Sequence, residues 1–355
     1  MGNKLSTNQF WLLASTLSFT YKLNSLAGII YNGYNSSTAV IFSLYLLVEF
    51  LITFCVFRLA KNDIWHKLKQ KNRVILSIVL SAFLLIKAFV YLQEQARFAS
   101  DYLVRDMPFW LIFFILTTTI IIFSSYGMNS LARTNEITII LVALMLLINL
   151  FFLRVDMDFS YNTPIFDGNN QGFRGSFQYF SWFGDCLPLI VCGVADNPDN
   201  NPKKKIIGYG SYFLGFVFTV MIVVFGVSIY GGAFGKVNSL YVKIGIFNDY
   251  SLEFGRLDWI GIMCWMVCSF VVTSSITTAL KSSVGLIKNN NNKLYLIALI
   301  PLYFVLIYAV SDYEAIKESA ANILGYISLF CMLFIFGYML FYKIRGQNDK
   351  KRNKK

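Results

Sequence analysis

Lys22, Glu49, Lys87 and Asp185 are ionisable residues set in the middle of long apolar stretches. Each lies within about two residues of the centre of a segment long enough to span a bilayer. A charge at that depth costs about 2.5–3.5 kcal/mol on insertion scales. Two of the four are basic and two acidic, so they can neutralise one another inside a helix bundle. That pattern predicts a polar site near the membrane midplane and not a passive anchor. The alternative for the lysines is snorkelling, with the ammonium in water and the stem in lipid. On sequence grounds Lys22 and Asp185 take the leading role. Glu49 and Lys87 are read as intramembrane charge partners.

The elements that carry these residues follow from composition. The chain has 355 residues, 56% hydrophobic and 14% charged, which is the composition of a polytopic membrane protein. Ten apolar segments are predicted to span, approximately 9–31, 38–60, 74–96, 109–126, 137–153, 176–196, 206–231, 257–280, 294–310 and 320–342. They form one permease-like domain over 1–355 (repeats at about 9–153 and 176–342), which ends in a basic cytoplasmic tail at 343–355. The net charge of +12 is topological. With alternating sides, Lys61, Lys67, Lys69, Lys71, Arg73, Lys203–Lys205 and the C-terminal lysines and arginines share one face with Lys4. The positive-inside rule then places both termini in the cytoplasm and argues against a nucleic-acid partner.

No phosphate-binding glycine loop, HExxH or nucleophile elbow occurs, and no paired acid–base constellation emerges, which argues against an enzyme. Cys55, Cys186, Cys192, Cys264, Cys268 and Cys331 all fall within predicted spans and read as small packing residues, with no metal or cofactor implied. His66, the sole histidine, falls in a basic loop.

Ten spans divide as five plus five, about 9–153 and 176–342. A repeat with an odd number of spans must invert when it recurs, and such proteins hold ligands at mid-depth between discontinuous helices. The sixth span carries Gly184-Asp185-Cys186-Leu187-Pro188, a sequence that readily breaks a helix. The first span has Ser15, Thr16, Ser18, Thr20, Lys22 and Asn24 but no Gly or Pro at its centre. The eighth offers Thr273, Ser274, Ser275, Thr277 and Thr278. Those hydroxyls either back-bond within their helix or line a cavity. Their density leans toward the cavity.

Several segments together resemble the spore-germination permeases, the B subunits of nutrient germinant receptors in the amino acid–polyamine–organocation superfamily. The carriers are Lys4-Leu5-Ser6-Thr7-Asn8-Gln9-Phe10 and Tyr21-Lys22-Leu23, then YGMNSLARTNE at 126–136. FQYFSWFGD at 177–185 and Arg256-Leu257-Asp258-Trp259 complete the set. The resemblance implies an all-α, leucine-transporter-type inverted-repeat fold. It implies an amino acid or similar nutrient bound between spans 1, 3, 6 and 8. It also implies A-type and C-type receptor subunits as partners in the inner membrane of a bacterial spore. Carried onto this chain, the ligand-binding residues are Ser18, Thr20, Lys22, Tyr91, Phe183, Gly184, Asp185, Thr273 and Ser274. Where many relatives have a glycine-rich segment, this chain has Ser18-Phe19-Thr20, and Ala27 stands where they have proline. Lys22 is then the residue to supply positive charge to a ligand carboxylate. The second functional reading is a proton-coupled secondary transporter of amino acids or related solutes, with Asp185 or Glu49 titrating.

Overall fold

The computed structural model describes residues 4–151, 157–163, 182–195, 202–237, 240–246, 258–288, 299–303, 305 and 326–341. Helices dominate these residues. Ser6 opens the first, α1 (Thr7–Tyr21), through a capping box. Its hydroxyl accepts from the Gln9 N–H at 3.2 Å, and the Gln9 side chain accepts from the Ser6 N–H at 3.1 Å. The helix does not unwind at its end, contrary to the break expected of the first span. Without Gly or Pro it widens instead into a π-helical turn, Lys22–Leu26, and continues as α2 (Ala27–Tyr34). The chain reverses at Asn35, whose φ is 44°, and returns along α3 (Thr38–Lys61).

A short α4 (Ile64–Lys67) leads to the long α5 (Gln70–Tyr102). Next come α6 (Phe109–Ser125) and α7 (Met128–Phe151), bent by 109° at their junction. The turn uses Gly127 at φ 87°, a conformation open to glycine. After it follow α8 (Pro202–Tyr230), α9 (Leu240–Ile246), α10 (Asp258–Lys288) and α11 (Tyr326–Phe341).

The spans expected between 9 and 153, at 206–231 and at 257–280 all fall on helices. The one expected at 176–196 does not: its described part, 182–195, contains turns and a 3₁₀ segment, Leu187–Val191. Gly184 sits at φ 79° and Pro188 lacks an N–H, so no α-helix can propagate through it. Most of 294–310, the connectors around 154–175 and 289–292, and the tail at 343–355 lie outside the described residues.

Four helical stretches are long and apolar enough to cross a membrane among the described residues, and the α6–α7 pair makes a fifth if it is one bent span. The outer surface agrees with lipid as solvent. Leu51 is 62% exposed, Ile137 67% and Phe330 68%. Four charged side chains, Lys22, Glu49, Lys87 and Asp185, are instead buried in the interior.

Inside, α1 packs on α8 and α7, while α10 packs on α5, α6 and α7. Small residues set the α1–α8 approach, as membrane helix pairs require. A Cβ on Gly215 would lie 2.9 Å from the Phe19 ring. One on Gly208 would lie 3.1 Å from Trp11. The N-terminus closes the same end of the bundle. Leu5 exchanges backbone bonds with Gly193 and Ala195 at 3.2 and 2.8 Å, and Lys4 pairs with Asp63 at 3.0 Å.

Gly215→Leu is expected to destabilise the purified protein by about 1–3 kcal/mol through overpacking. Gly210→Leu, five residues earlier on the same helix with open space around its Cα, serves as the control. Melting curves in detergent should separate the two; equal losses would contradict the packing described.

Candidate functional site

Lys22, Glu49, Lys87 and Asp185 come together as one quartet, each at most 3% exposed. Four elements deliver them. The π turn brings Lys22, α3 brings Glu49, α5 brings Lys87, and the turn at the broken sixth segment brings Asp185. Asp185 is the hub. One of its oxygens accepts from the Lys22 ammonium, and the other accepts from Lys87 at 2.7 Å and from the Tyr91 hydroxyl. Glu49 lies 3.8 Å from the Lys22 ammonium.

Glu49 also does something that its sequence context gave no sign of. Its two carboxylate oxygens accept from the backbone N–H groups of Gly184 and Asp185 at 3.1 and 3.2 Å. These are donors that the break in the helix leaves without intrahelical partners. The carboxylate therefore caps the break and balances Lys22 at once. Gly184 is needed for the geometry. Its left-handed backbone excludes most side chains, and a Cβ there would meet Leu187 and Met332 at 3.1 Å and Phe83 at 3.3 Å. Phe183 packs its ring 5.5 Å from that of Tyr45.

Tyr91 stacks on Tyr21 with centroids 3.9 Å apart and planes 6° from parallel, and the Tyr21 hydroxyl donates to the Tyr91 carbonyl at 3.2 Å. Tyr21 figures in the sequence only as part of the Tyr21-Lys22-Leu23 motif and not as a site residue. Its position next to Lys22, facing a tyrosine one turn after Lys87, was the available signal. Ser18 is buried one turn before Lys22 on the same side of α1.

Other candidates lie elsewhere. Thr20 donates to the Thr16 carbonyl at 2.7 Å and borders an apolar groove of about 350 Å³ between α1, α7, α8 and α10. The hydroxyls of α10 largely back-bond. Thr273, Ser275, Thr277 and Thr278 donate to the carbonyls of Ser269, Val271, Thr273 and Ser274 at 2.7–2.8 Å. The stretch around Ser274 faces α6, with the Ser274 carbonyl accepting from Ser124 at 3.2 Å. Thr273 reaches Gln95 at 3.4 Å. The back-bonding reading of this cluster therefore fits better than a lined cavity, because these hydroxyls find acceptors one turn away in their own helix.

The arrangement is a self-neutralised ionic cluster that ties three helices to a non-helical segment in the bundle interior. No group of three His, Cys, Asp or Glu suited to a metal ion occurs among the described residues. Such a multi-pass bundle with charges gathered at a helix break defines a membrane protein of the permease type. The chain belongs to the spore germination protein family, whose model matches residues 66–319.

No curated protein sequence matches it significantly. Among solved structures it is similar to the manganese transporter of Eremococcus coleocola. A single-substitution variant of that transporter superposes with TM-score 0.57 at 10% identity, covering 93% of this chain and 75% of the other. The same transporter in complex with an aromatic bis-isothiourea substituted compound gives TM-score 0.56 at 12% identity, with coverage of 94% and 79%. At such identity the shared property is the fold.

Removing one member of the quartet should be costly, because it strands the others. Lys22→Met or Glu49→Gln alone is expected to destabilise by roughly 3–5 kcal/mol. The double variant, which restores neutrality, should cost less than the sum by roughly 1–3 kcal/mol. Thermal or denaturant unfolding in detergent micelles measures the cycle, and simple additivity would rule out the coupling.

Proposed function

We propose that this chain is the permease-like, ligand-sensing subunit of a spore germinant receptor, and that its ligand is an amino acid or a similar small zwitterion. The observation that carries the reading is the neutrality of the quartet at the junction of the π turn and the broken sixth segment. In a low-dielectric interior, separating Asp185 from Lys22 and Lys87 leaves uncompensated charge. A zwitterion brings one charge of each sign, so it can replace a pair while the interior stays neutral. Its carboxylate would take the place of Asp185 on a lysine. The freed 182–195 segment then shifts, and that shift is what partner subunits read.

In this reading the chain is one domain of ten spans in a five-plus-five inverted repeat of the leucine-transporter type. The first and sixth spans occupy equivalent places, and both depart from regular α-helix where they meet. Ser18, Lys22, Tyr91, Phe183, Gly184 and Asp185 form the ligand site, with Glu49 and Lys87 as charge partners. Both termini lie in the cytoplasm, and the membrane is the inner membrane of the spore, shared with A-type and C-type subunits. Cation transport is less well supported, because both buried carboxylates of the quartet already face ammonium groups.

Screening the purified chain against single amino acids should reveal one that raises the melting temperature, since a ligand of the folded state stabilises it by mass action. Lys22→Ala should abolish that rise. An undiminished rise in Lys22→Ala would remove Lys22 from the site. In proteoliposomes the same amino acid should bind without accumulating. Uptake driven by a pH gradient would instead establish the proton-coupled transporter.

A further inference from the structure

One carboxylate near the quartet is left out of its charge balance. Glu94 lies three residues beyond Tyr91 on α5, and Ser25 lies four beyond Tyr21 on the first span, so both sit one turn past the stacked tyrosine pair. The Tyr91 hydroxyl donates to Asp185 in the quartet, and the Ser25–Glu94 pair lies one turn further along the two segments. The tyrosines thus stand between the closed quartet and a second polar patch.

That patch combines acceptor oxygens with donors of its own. The Ser25 hydroxyl donates to one Glu94 oxygen at 3.1 Å. The Asn24 amide reaches the Ser25 hydroxyl at 3.5 Å, and its carbonyl oxygen is buried without a hydrogen-bond partner, although the residue is 7% exposed. No Lys or Arg among the described residues forms an ion pair with Glu94. Arg97, three residues on, is exposed. Glu94 and Ser25 are partly exposed. Trp265 closes one side, edge-on to Tyr21 at 5.6 Å and against Phe98 at 4.1 Å.

We infer that Glu94, Ser25 and Asn24 receive the ammonium group of the ligand. A primary ammonium presents three donors, and this patch offers a carboxylate oxygen, a hydroxyl oxygen and an amide oxygen. The surrounding rings suit an organic cation. A hard inorganic cation calls for six or more oxygen ligands, which these three residues do not supply. The inference rests on the reading of the chain as a receptor for amino-acid-type ligands, and it places that ligand's ammonium on the Glu94 side of the tyrosine pair.

The test uses the full chain in lipid nanodiscs, with the stabilising amino acid, its N-acetyl derivative, ethylamine and sodium chloride as separate probes. Glu94→Gln is expected to weaken the amino acid by about tenfold or more, the share of a charged hydrogen bond. Asn24→Leu should weaken it several-fold, and N-acetylation should abolish binding to the wild type. Equal affinity in Glu94→Gln, equal binding of the N-acetyl form, or Glu94-dependent stabilisation by sodium chloride alone would overturn the assignment. Should Glu94→Gln not fold, Asn24→Leu and the N-acetyl comparison decide it. Amino-acid binding that ignores Glu94 would refute this inference and leave the proposed function standing. Glu94-dependent binding of ethylamine, with no amino acid bound, would do the reverse.

Discussion

Four charges held out of both water and lipid constrain everything around them. An isolated charge in such an interior is too costly to keep, so each must find its counterpart with good geometry. Lys22, Glu49, Lys87 and Asp185 come from segments separated by up to 163 positions, the span from Lys22 to Asp185. Bringing them together fixes how the π turn, α3, α5 and the 182–195 segment sit against one another. Glu49 carries a double duty in this. By accepting from the Gly184 and Asp185 amides it lets a helix break exist where no water would satisfy it.

The rest of the fold supports that junction by close packing. Gly208 and Gly215 let α8 lie against Trp11 and Phe19, which holds α1 in place up to its π turn. At the other side of the break, Leu5, Gly193 and Ala195 exchange backbone bonds, and the Val194 N–H reaches the Ala60 carbonyl at 3.4 Å. The non-helical segment is thus pinned at both ends, by Glu49 and Asp185 within and by the Leu5 backbone beyond. Between those ends Leu187, Leu189 and Ile190 bury their side chains in the core.

Much of this was legible in the sequence because a charge in an apolar stretch is costly, and snorkelling, the plainer reading of the two lysines, is not open to the shorter Asp185 and Glu49. The same contrast exposed the spans themselves and the breaker sequence Gly184–Pro188. What was not legible depends on which way a side chain points. A π turn has no compositional mark, so the distortion at Lys22 could not be distinguished from unwinding. Glu49 read as a supporting partner because nothing in sequence shows that its carboxylate meets backbone amides 135 positions away. The α10 hydroxyls suggested a lined cavity, but helix geometry offers each an acceptor one turn back, and four of them take it. The capping-box residues Ser6 and Gln9 were visible as part of a family motif, while their role in starting α1 emerged only from the backbone.

The central claim is that Glu49 and Asp185 clamp the broken segment to the helices. Hydrogen–deuterium exchange on the peptides covering 182–195 tests it most directly. The account predicts slow exchange at the Gly184 and Asp185 amides in the wild type and fast exchange in Glu49→Leu, with the α10 peptides unchanged. Equal protection of 182–195 in the two proteins would contradict it.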